Sequence, residues 1–407
     1  MSESRHQVLI IGGGTAGITT AARLTRSGKK LDIAVIEPSD KHFYQPLWTL
    51  VGAGIVPKEV TVRKEASVMP KGVTWIRDAV VEIDPDANQV RTAGGRTIGY
   101  DYLVVAPGIQ YDWDAVKGLK ETVGKNGVVT NYTYEAAPKT WEAMKNFEGG
   151  TAVFTNPLGQ VKCGGAPQKV MYLADDYWRR SGVRGKTKMI GAFAGTVMLG
   201  VPEINKSLER IVRQRDIEMR FYHNLVEVRT SPKKEAVFDV RDPKTGETTH
   251  QEVIPFDFLH ATPPMKAPDF VAASPLAVPE GPHKGYVDVD IHTLQHKRYP
   301  NVFSLGDAAA LPTAKTGAAV RKQAPKLVKN LLAVMEGKPA EAKYNGYSSC
   351  PIVTARGRVL LGEFLYDNKY KPTFVFLDQT KERWDMWLLK RYVLPPLYWY
   401  GMLKGLA

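Results

Sequence analysis

The chain has 407 residues, of which 43% are hydrophobic. That is enough for two or three packed domains, and it excludes the disordered and fibrous classes. Lysine and arginine outnumber aspartate and glutamate by 55 to 42, a formal charge of +13 that favours an anionic surface as partner. With no zinc finger, RNP motif or long basic run, no nucleic-acid partner is expected, and acidic lipid is the better match.

No run approaches the eighteen apolar residues that span a bilayer. No signal or transit segment precedes the first strand, near Gln7, so export by the usual route is not expected; a processed form stays open.

Residues 7–37 read as strand, helix and strand, with the helix over 16–27 and Gly28 ending it. The run V-L-I-I-G-G-G-T-A-G supplies Gly12, Gly14 and Gly17 in a G-x-G-x-x-G pattern. The first glycine permits a tight turn. The second lets the backbone approach a pyrophosphate, and the third lets the helix pack on the sheet. Glu37 closes the next apolar run, twenty residues past Gly17, where a carboxylate accepts the hydroxyls of an adenosine ribose. A strand follows at 73–77 and a meander over 79–97. Y-D-Y-L-V-V-A-P-G, 100–108, reads as a buried strand ending in a turn at Ala106, Pro107 and Gly108.

F-D-F-L-H-A-T-P, 256–263, repeats the pattern of 100–107, so a second α/β unit is expected inside the first. K-M-I-G-A-F-A-G, 188–195, reads as its glycine turn. Phe193 would then stand where backbone should meet pyrophosphate, and the next strand, 217–222, ends in His223 and Asn224 with no acid for a ribose. The second unit is therefore expected to lack nicotinamide binding.

The first unit resumes near 285. A strand over 302–305 delivers Gly306 and Asp307, followed by a helix from Gly317 to Met335. Paired with the opening motif, this makes FAD the expected cofactor. The aspartate accepts a ribityl hydroxyl, and the helix N-terminus, at Gly317 and Ala318, stabilises charge on a reduced flavin.

Cys163 and Cys350 are the two cysteines. Each lies at a tight turn, in K-C-G-G-A-P-Q-K and S-S-C-P-I-V. Cys163 also precedes a helical run beside Lys162 and Lys169, surroundings that favour thiolate. Residues 384–403, W-D-M-W-L-L-K-R-Y-V-L-P-P-L-Y-W-Y-G-M-L, are rich in Trp and Tyr with basic residues between, as suits a bilayer interface. Trp384, Trp387 and Leu388 share one helical face there. His292 and His296 stand four apart with no evident third ligand, so no metal site is expected.

Together these segments resemble the two-dinucleotide-fold flavoprotein disulfide reductases. Where a close cysteine pair would stand near residue 45, this chain has H-F-Y-Q-P-L-W. K-C-G-G-A-P-Q-K-V-M-Y-L, S-S-C-P-I-V-T, L-P-T-A-K-T-G-A-A-V and P-P-L-Y-W-Y-G-M-L-K-G resemble the eukaryotic-like, two-cysteine branch of the sulfide:quinone oxidoreductases. The resemblance implies an α/β fold with an FAD unit at 1–115 and 285–341. A degenerate NAD-like unit at 116–284 and a C-terminal redox-cysteine and membrane-interface segment at 342–407 complete it. It implies non-covalent FAD held by Gly12, Gly13, Gly14, Gly17, Glu37, Gln45, Val80, Ala106, Gly108, Gly306, Asp307, Lys315, Gly317 and Ala318. It also implies catalysis by Cys163, facing the flavin, and Cys350, carrying outgoing sulfane sulfur. The implied partners are sulfide, ubiquinone or another quinone, a small sulfur acceptor and a membrane surface, with a homodimer left open. The implied location is a bacterial inner membrane or, for a processed form, a mitochondrial one. A type II NADH:quinone oxidoreductase shares the architecture and is the alternative.

Overall fold

The structure, a computed structural model, describes residues 4–407. Its first sheet has seven strands. Four come early in the chain: β1 (Ser4–Ile11), β2 (Ile33–Ile36), β3 (Thr74–Ile76) and the antiparallel β4 (Val80–Asp84). β5 (Gln89–Thr92) and β6 (Thr97–Val105) continue it, in the order β3-β2-β1-β6-β5-β4. β1 lies at the centre with every residue of 8–11 buried, as an apolar run between two parallel neighbours must. Helix α1 (Thr15–Thr25) crosses between β1 and β2.

The second sheet is wholly parallel and holds β7 (Val128–Val129), β8 (Gly150–Asn156), β9 (Thr187–Phe193), β10 (Glu218–Phe221) and, late in the unit, Phe258–His260. That last strand pairs with both β7 and β8. Helix α2 (Ala166–Ser181) joins β8 to β9, and α3 (Pro202–Gln214) joins β9 to β10. The chain then returns to the first sheet as β11 (Val302–Ser304), which pairs with β6, and continues into α4 (Gly317–Met335). A hairpin of β12 (Ser348–Ala355) and β13 (Arg358–Phe364) precedes the aromatic tail, whose first helix is α5 (Trp384–Leu388).

This topology corrects one sequence expectation. In the first sheet, the strand before the glycine turn, β1, lies between β2 and β6. In the second sheet that place belongs to β8, flanked by β9 and Phe258–His260. Its following turn is N-P-L-G-Q-V-K-C-G-G, leading into α2. The Gly191–Gly195 segment belongs instead to the end of β9, where Phe193 is fully buried. Local glycine spacing could not distinguish the first strand of the unit from the second, because strand order is set by long-range pairing. The correction places Cys163 on the turn that a dinucleotide fold uses for phosphate.

Candidate functional site

Register brings four distant segments to one edge. Ile11 pairs with Ile36 and with Val105, and Val105 pairs with Ser304. The residues that follow, Gly12, Glu37, Ala106 and the Leu305–Gly306 turn, therefore emerge together at the carboxyl ends of parallel strands, where α/β sheets bind ligands. Gly12 has φ +99°, and a Cβ there would lie 2.4 Å from the Ala106 carbonyl oxygen. A Cβ on Gly17 would lie 1.8 Å from the Gly12 oxygen. Above Gly14 a Cβ would meet nothing within 4 Å, so its backbone faces open space. Helix α1 begins there with no side-chain cap and no acid in its first turn. These free N–H groups and the open glycine fit the pyrophosphate of a dinucleotide.

Glu37 accepts from the Gly13 N–H at 2.7 Å and from the Ser39 N–H at 2.8 Å. Burial raises its pKa, and those two backbone donors oppose the shift. Val80 opens β4, four residues beyond Ile76, whose carbonyl accepts the Glu37 N–H at 3.0 Å. Gly108 takes φ +83°. On the far side, the Gly306 N–H donates to Gln323 Oε1 at 2.9 Å, and Thr316 caps α4 by accepting from Ala319. Gly317 and Ala318 form the start of that helix. Substituting Gly17 with alanine is expected to lift α1 from β1, costing about 1–3 kcal/mol. The purified protein should then show a lower flavin-to-protein absorbance ratio and a lower melting temperature.

The two cysteines, 187 residues apart, meet. Their Sγ atoms lie 3.1 Å from each other. Cys163 has φ +57°, in the left-handed region, between Lys162 and the Gly164–Gly165 pair. Its N–H donates to the Lys315 carbonyl at 2.8 Å, and its carbonyl accepts from Ala166 at 2.7 Å. It thus sits at the amino end of α2, whose dipole favours an anion. Gly165 is required for the approach: a Cβ there would lie 2.6 Å from Cys350 Sγ. Cys350 is buried on β12.

Lys169, buried on α2, donates to Cys163 Sγ at 3.3 Å. The Cys350 hydrogen bond, and then Lys169, hold the Cys163 thiol well below its usual pKa against the effect of burial. Cys350 is pushed up by its bond to Cys163 and by burial. Burial alone would depress Lys169, but both sulfurs outweigh it and hold its ammonium charged. The arrangement favours ionisation of Cys163 over Cys350, beside the Lys169 ammonium.

The Cys163 loop is tied to the nucleotide crevice through two lysines, and a third buried lysine lies nearby. Lys315 Nζ donates to the Asp307 carbonyl at 2.6 Å and lies 4.1 Å from the Tyr286 ring centre. Lys162 Nζ donates to Gln45 Oε1 at 2.5 Å and lies over the Tyr111 ring. Burial lowers both ammonium groups to about 8, partly offset by Asp307. Burial also raises the Asp307 carboxyl. The third is Lys390, from the tail, which donates to the Pro46 carbonyl at 3.1 Å. Burial, then repulsion from Lys169, lowers it to about 7. Nothing in its local sequence marked Lys390, since a lysine in an amphipathic tail ordinarily faces water.

Other groups were also missed. Tyr398, buried in the tail, has its hydroxyl 2.9 Å from Thr15 Oγ1 and 2.5 Å from His42 Nε2. His42 Nδ1 lies 3.1 Å from both the Gly13 carbonyl and Glu65. The tail thus straps the glycine turn, with Arg63 stacked on Trp399 at 4.4 Å. The aromatic stretch is divided: Tyr398 and Trp399 are core, Trp387 is half-buried, and Trp384, Leu388, Tyr392 and Tyr400 face outward. The expected shared face of Trp384, Trp387 and Leu388 therefore keeps Trp384 and Leu388 but loses Trp387 to the core. No helix among the described residues is long and apolar enough to cross a membrane. His292 and His296 each place a ring nitrogen on a backbone carbonyl, of Tyr344 and Leu276.

The chain matches the Pyridine nucleotide-disulphide oxidoreductase family over residues 6–140. It is 46% identical to the mitochondrial sulfide:quinone oxidoreductase of Mus musculus, over 99% of this chain and 88% of that protein. The corresponding protein of Dictyostelium discoideum is 45% identical, over 98% and 86%. The chain belongs to the sulfide:quinone oxidoreductase family. The solved sulfide:quinone oxidoreductase of Aquifex aeolicus shares the fold, with a TM-score of 0.80 at 20% identity over 99% of this chain and 92% of that one. As a sulfide:quinone oxidoreductase the chain is an enzyme and a flavoprotein.

Proposed function

We propose that the enzyme oxidises hydrogen sulfide at the Cys163–Cys350 pair and passes the electrons to a quinone through non-covalently held FAD. The observation that carries this reading is the 3.1 Å approach of two sulfurs beside Lys169. In the resting state they form a sulfur bridge. Hydrosulfide attacks its Cys350 sulfur, the bridge breaks, and Cys350 keeps the added sulfur as a persulfide while Cys163 leaves as thiolate. Lys169 and the α2 amino terminus stabilise that thiolate as it forms. A thiol, sulfite or further sulfide removes the outer sulfur from Cys350, leaving a second thiolate, and the two cysteines rejoin with loss of two electrons. Bound FAD would supply the two-electron acceptor for that pair and the link to quinone. Gly12, Gly13, Gly14, Gly17, Glu37, Ala106, Gly306 and Asp307 would hold it. Val80, Gly108, Gln45, Lys315, Gly317 and Ala318 would complete the cradle. With two cysteines, both engaged in the bridge, no third thiol is left to tether the flavin covalently.

In this reading 1–115 and 285–341 form the FAD unit, and 116–284 a nucleotide fold whose phosphate turn now carries Cys163. Residues 342–407 supply Cys350, Lys390 and a membrane-facing surface. The exposed Trp384, Leu388 and Tyr392, spaced four apart along the tail, suit a protein that lies on a bilayer without spanning it. Its quinone then enters from lipid. A bacterial inner membrane or the mitochondrial inner membrane fits, as does a homodimer.

Anaerobic mixing tests the assignment. Sulfide should bleach the flavin absorbance within the mixing time of a stopped-flow instrument, and NADH should not. Rapid bleaching by NADH with none by sulfide would favour a type II NADH:quinone oxidoreductase and remove this reading.

A further inference from the structure

The most exposed large apolar side chains among the described residues are not in the aromatic tail helix. They are Val375 and Phe376, at 83% and 80%. They form the tip of a turn between β13 and α5, closed by a Leu377 N–H to Phe374 carbonyl bond of 3.0 Å. An apolar pair at the tip of an unsupported loop would fold back against the protein. Here the base is built to prevent that. Glu363, on β13 and 2% exposed, is a carboxylate buried beneath the loop. It accepts from the Thr373 N–H at 2.8 Å and the Thr373 hydroxyl at 2.6 Å. It also accepts from the Tyr347 hydroxyl. The fully buried Gln379 amide donates to it at 2.8 Å, while its oxygen accepts from the Phe374 N–H at 2.9 Å. Both arms of the loop, at Thr373 and Gln379, are thus fixed on one anion. Phe374 and Leu377 pack inward on the core, and the two residues between them are held out in water.

Charge and neighbourhood indicate what covers them. Lys369 and Lys371 are exposed on one arm, and on the other Lys381 is exposed and paired with Asp378 at 3.2 Å. Eight residues beyond Phe376 begins the outward row of Trp384, Leu388 and Tyr392, and every exposed aromatic among the described residues lies between Phe376 and Tyr400. Apolar tips rimmed by lysines suit an anionic lipid interface.

We infer that the Val375–Phe376 turn is a rigid finger that inserts into an anionic bilayer, a second anchor independent of the tail helix. This rests on the membrane reading above and adds a separate attachment point to it. A finger fixed at its base loses little conformational freedom on insertion, so most of its apolar burial appears as affinity. With the tail helix as the other contact, two anchors fix the tilt of the protein on the membrane.

The test uses the full-length holoenzyme and sedimentation with vesicles of phosphatidylcholine and phosphatidylglycerol at four to one. V375S/F376S should partition at least about tenfold more weakly than the unsubstituted protein. It should also show a raised KM for a long-chain quinone embedded in the vesicles. Its turnover with a short-chain soluble quinone should be unchanged. V253S, which removes an exposed valine from the second unit, should bind as the unsubstituted protein does. Equal vesicle binding by V375S/F376S and the unsubstituted enzyme would overturn the finger while leaving the membrane reading intact. No sedimentation of the unsubstituted enzyme would overturn both. A shift of V375S/F376S from dimer to monomer, with vesicle binding unaltered, would reassign the tip to a second copy of the chain and overturn the lipid partner.

Discussion

Serine at position 163 is expected to abolish sulfide-dependent quinone reduction, by roughly four orders of magnitude, and serine at 350 to do the same. A hydroxyl has the size of the thiol but neither its acidity nor its capacity to form a bridge, so each change removes chemistry with little disturbance of packing. The two variants should nonetheless differ in spectrum. In Cys350→Ser, the serine hydroxyl can donate to Cys163 in place of the Cys350 thiol, and Cys163 stays on the α2 amino terminus, 3.3 Å from Lys169 Nζ. It should remain thiolate at neutral pH, visible as a long-wavelength band with the flavin before any sulfide is added. Cys163→Ser leaves only Cys350, which loses the bond to Cys163 that most raises its pKa but keeps the burial that also raises it, and should show no such band. Both should retain FAD and melt within a few degrees of the unsubstituted protein. Full sulfide turnover by either would end the two-cysteine mechanism. Identical spectra for the two would end the assignment of Cys163 as the thiolate of the pair.

What could be read along the chain was whatever is decided within a few residues. The Gly12–Gly17 turn is dictated by local φ and by the close approach of one backbone to another, and the glycines announce it. The cysteine turns are likewise local: Gly164–Gly165 and Pro167 mark a helix start, and Cys163 stands just before it. Distance in sequence hid the rest. Phe193 was placed one strand too early because the order β9-β8 is fixed by pairing with Phe258–His260, a hundred residues downstream. The sequence does not divide the tail into buried and exposed aromatics, because Tyr398 and Tyr400 are alike as residues. Only the His42 and Thr15 partners, over 350 residues away, make Tyr398 core. The Val375–Phe376 turn escaped attention because two apolar residues in a short loop look like ordinary core until Glu363 is seen beneath them.

Lys390 is the clearest such case, and its replacement has a double expected effect. Its amine has one hydrogen-bond partner, the Pro46 carbonyl, and is repelled by Lys169. Its folded pKa of about 7 lies far below the unfolded value near 10.5. Between those two values the unfolded chain binds the extra proton, so stability rises with pH across that window. Below about 7 the charged amine carries the full burial penalty, on the order of 3–5 kcal/mol. Lys390→Met should therefore raise the melting temperature by several degrees at pH 6, and the gain should shrink toward pH 9. A gain that grows with pH, or a loss at both, would mean that the Pro46 bond outweighs the buried charge. Activity should move the other way. Lys390 contributes positive charge that both sulfurs feel, so without it sulfide-dependent turnover at pH 6.5 should fall by about tenfold. In the unsubstituted enzyme turnover should decline above pH 7 as Lys390 loses its proton, ahead of Lys162 and Lys315 near 8. The variant should lack that first step. A more stable and less active protein from one substitution is what a cation held near the chemistry against its own solvation requires.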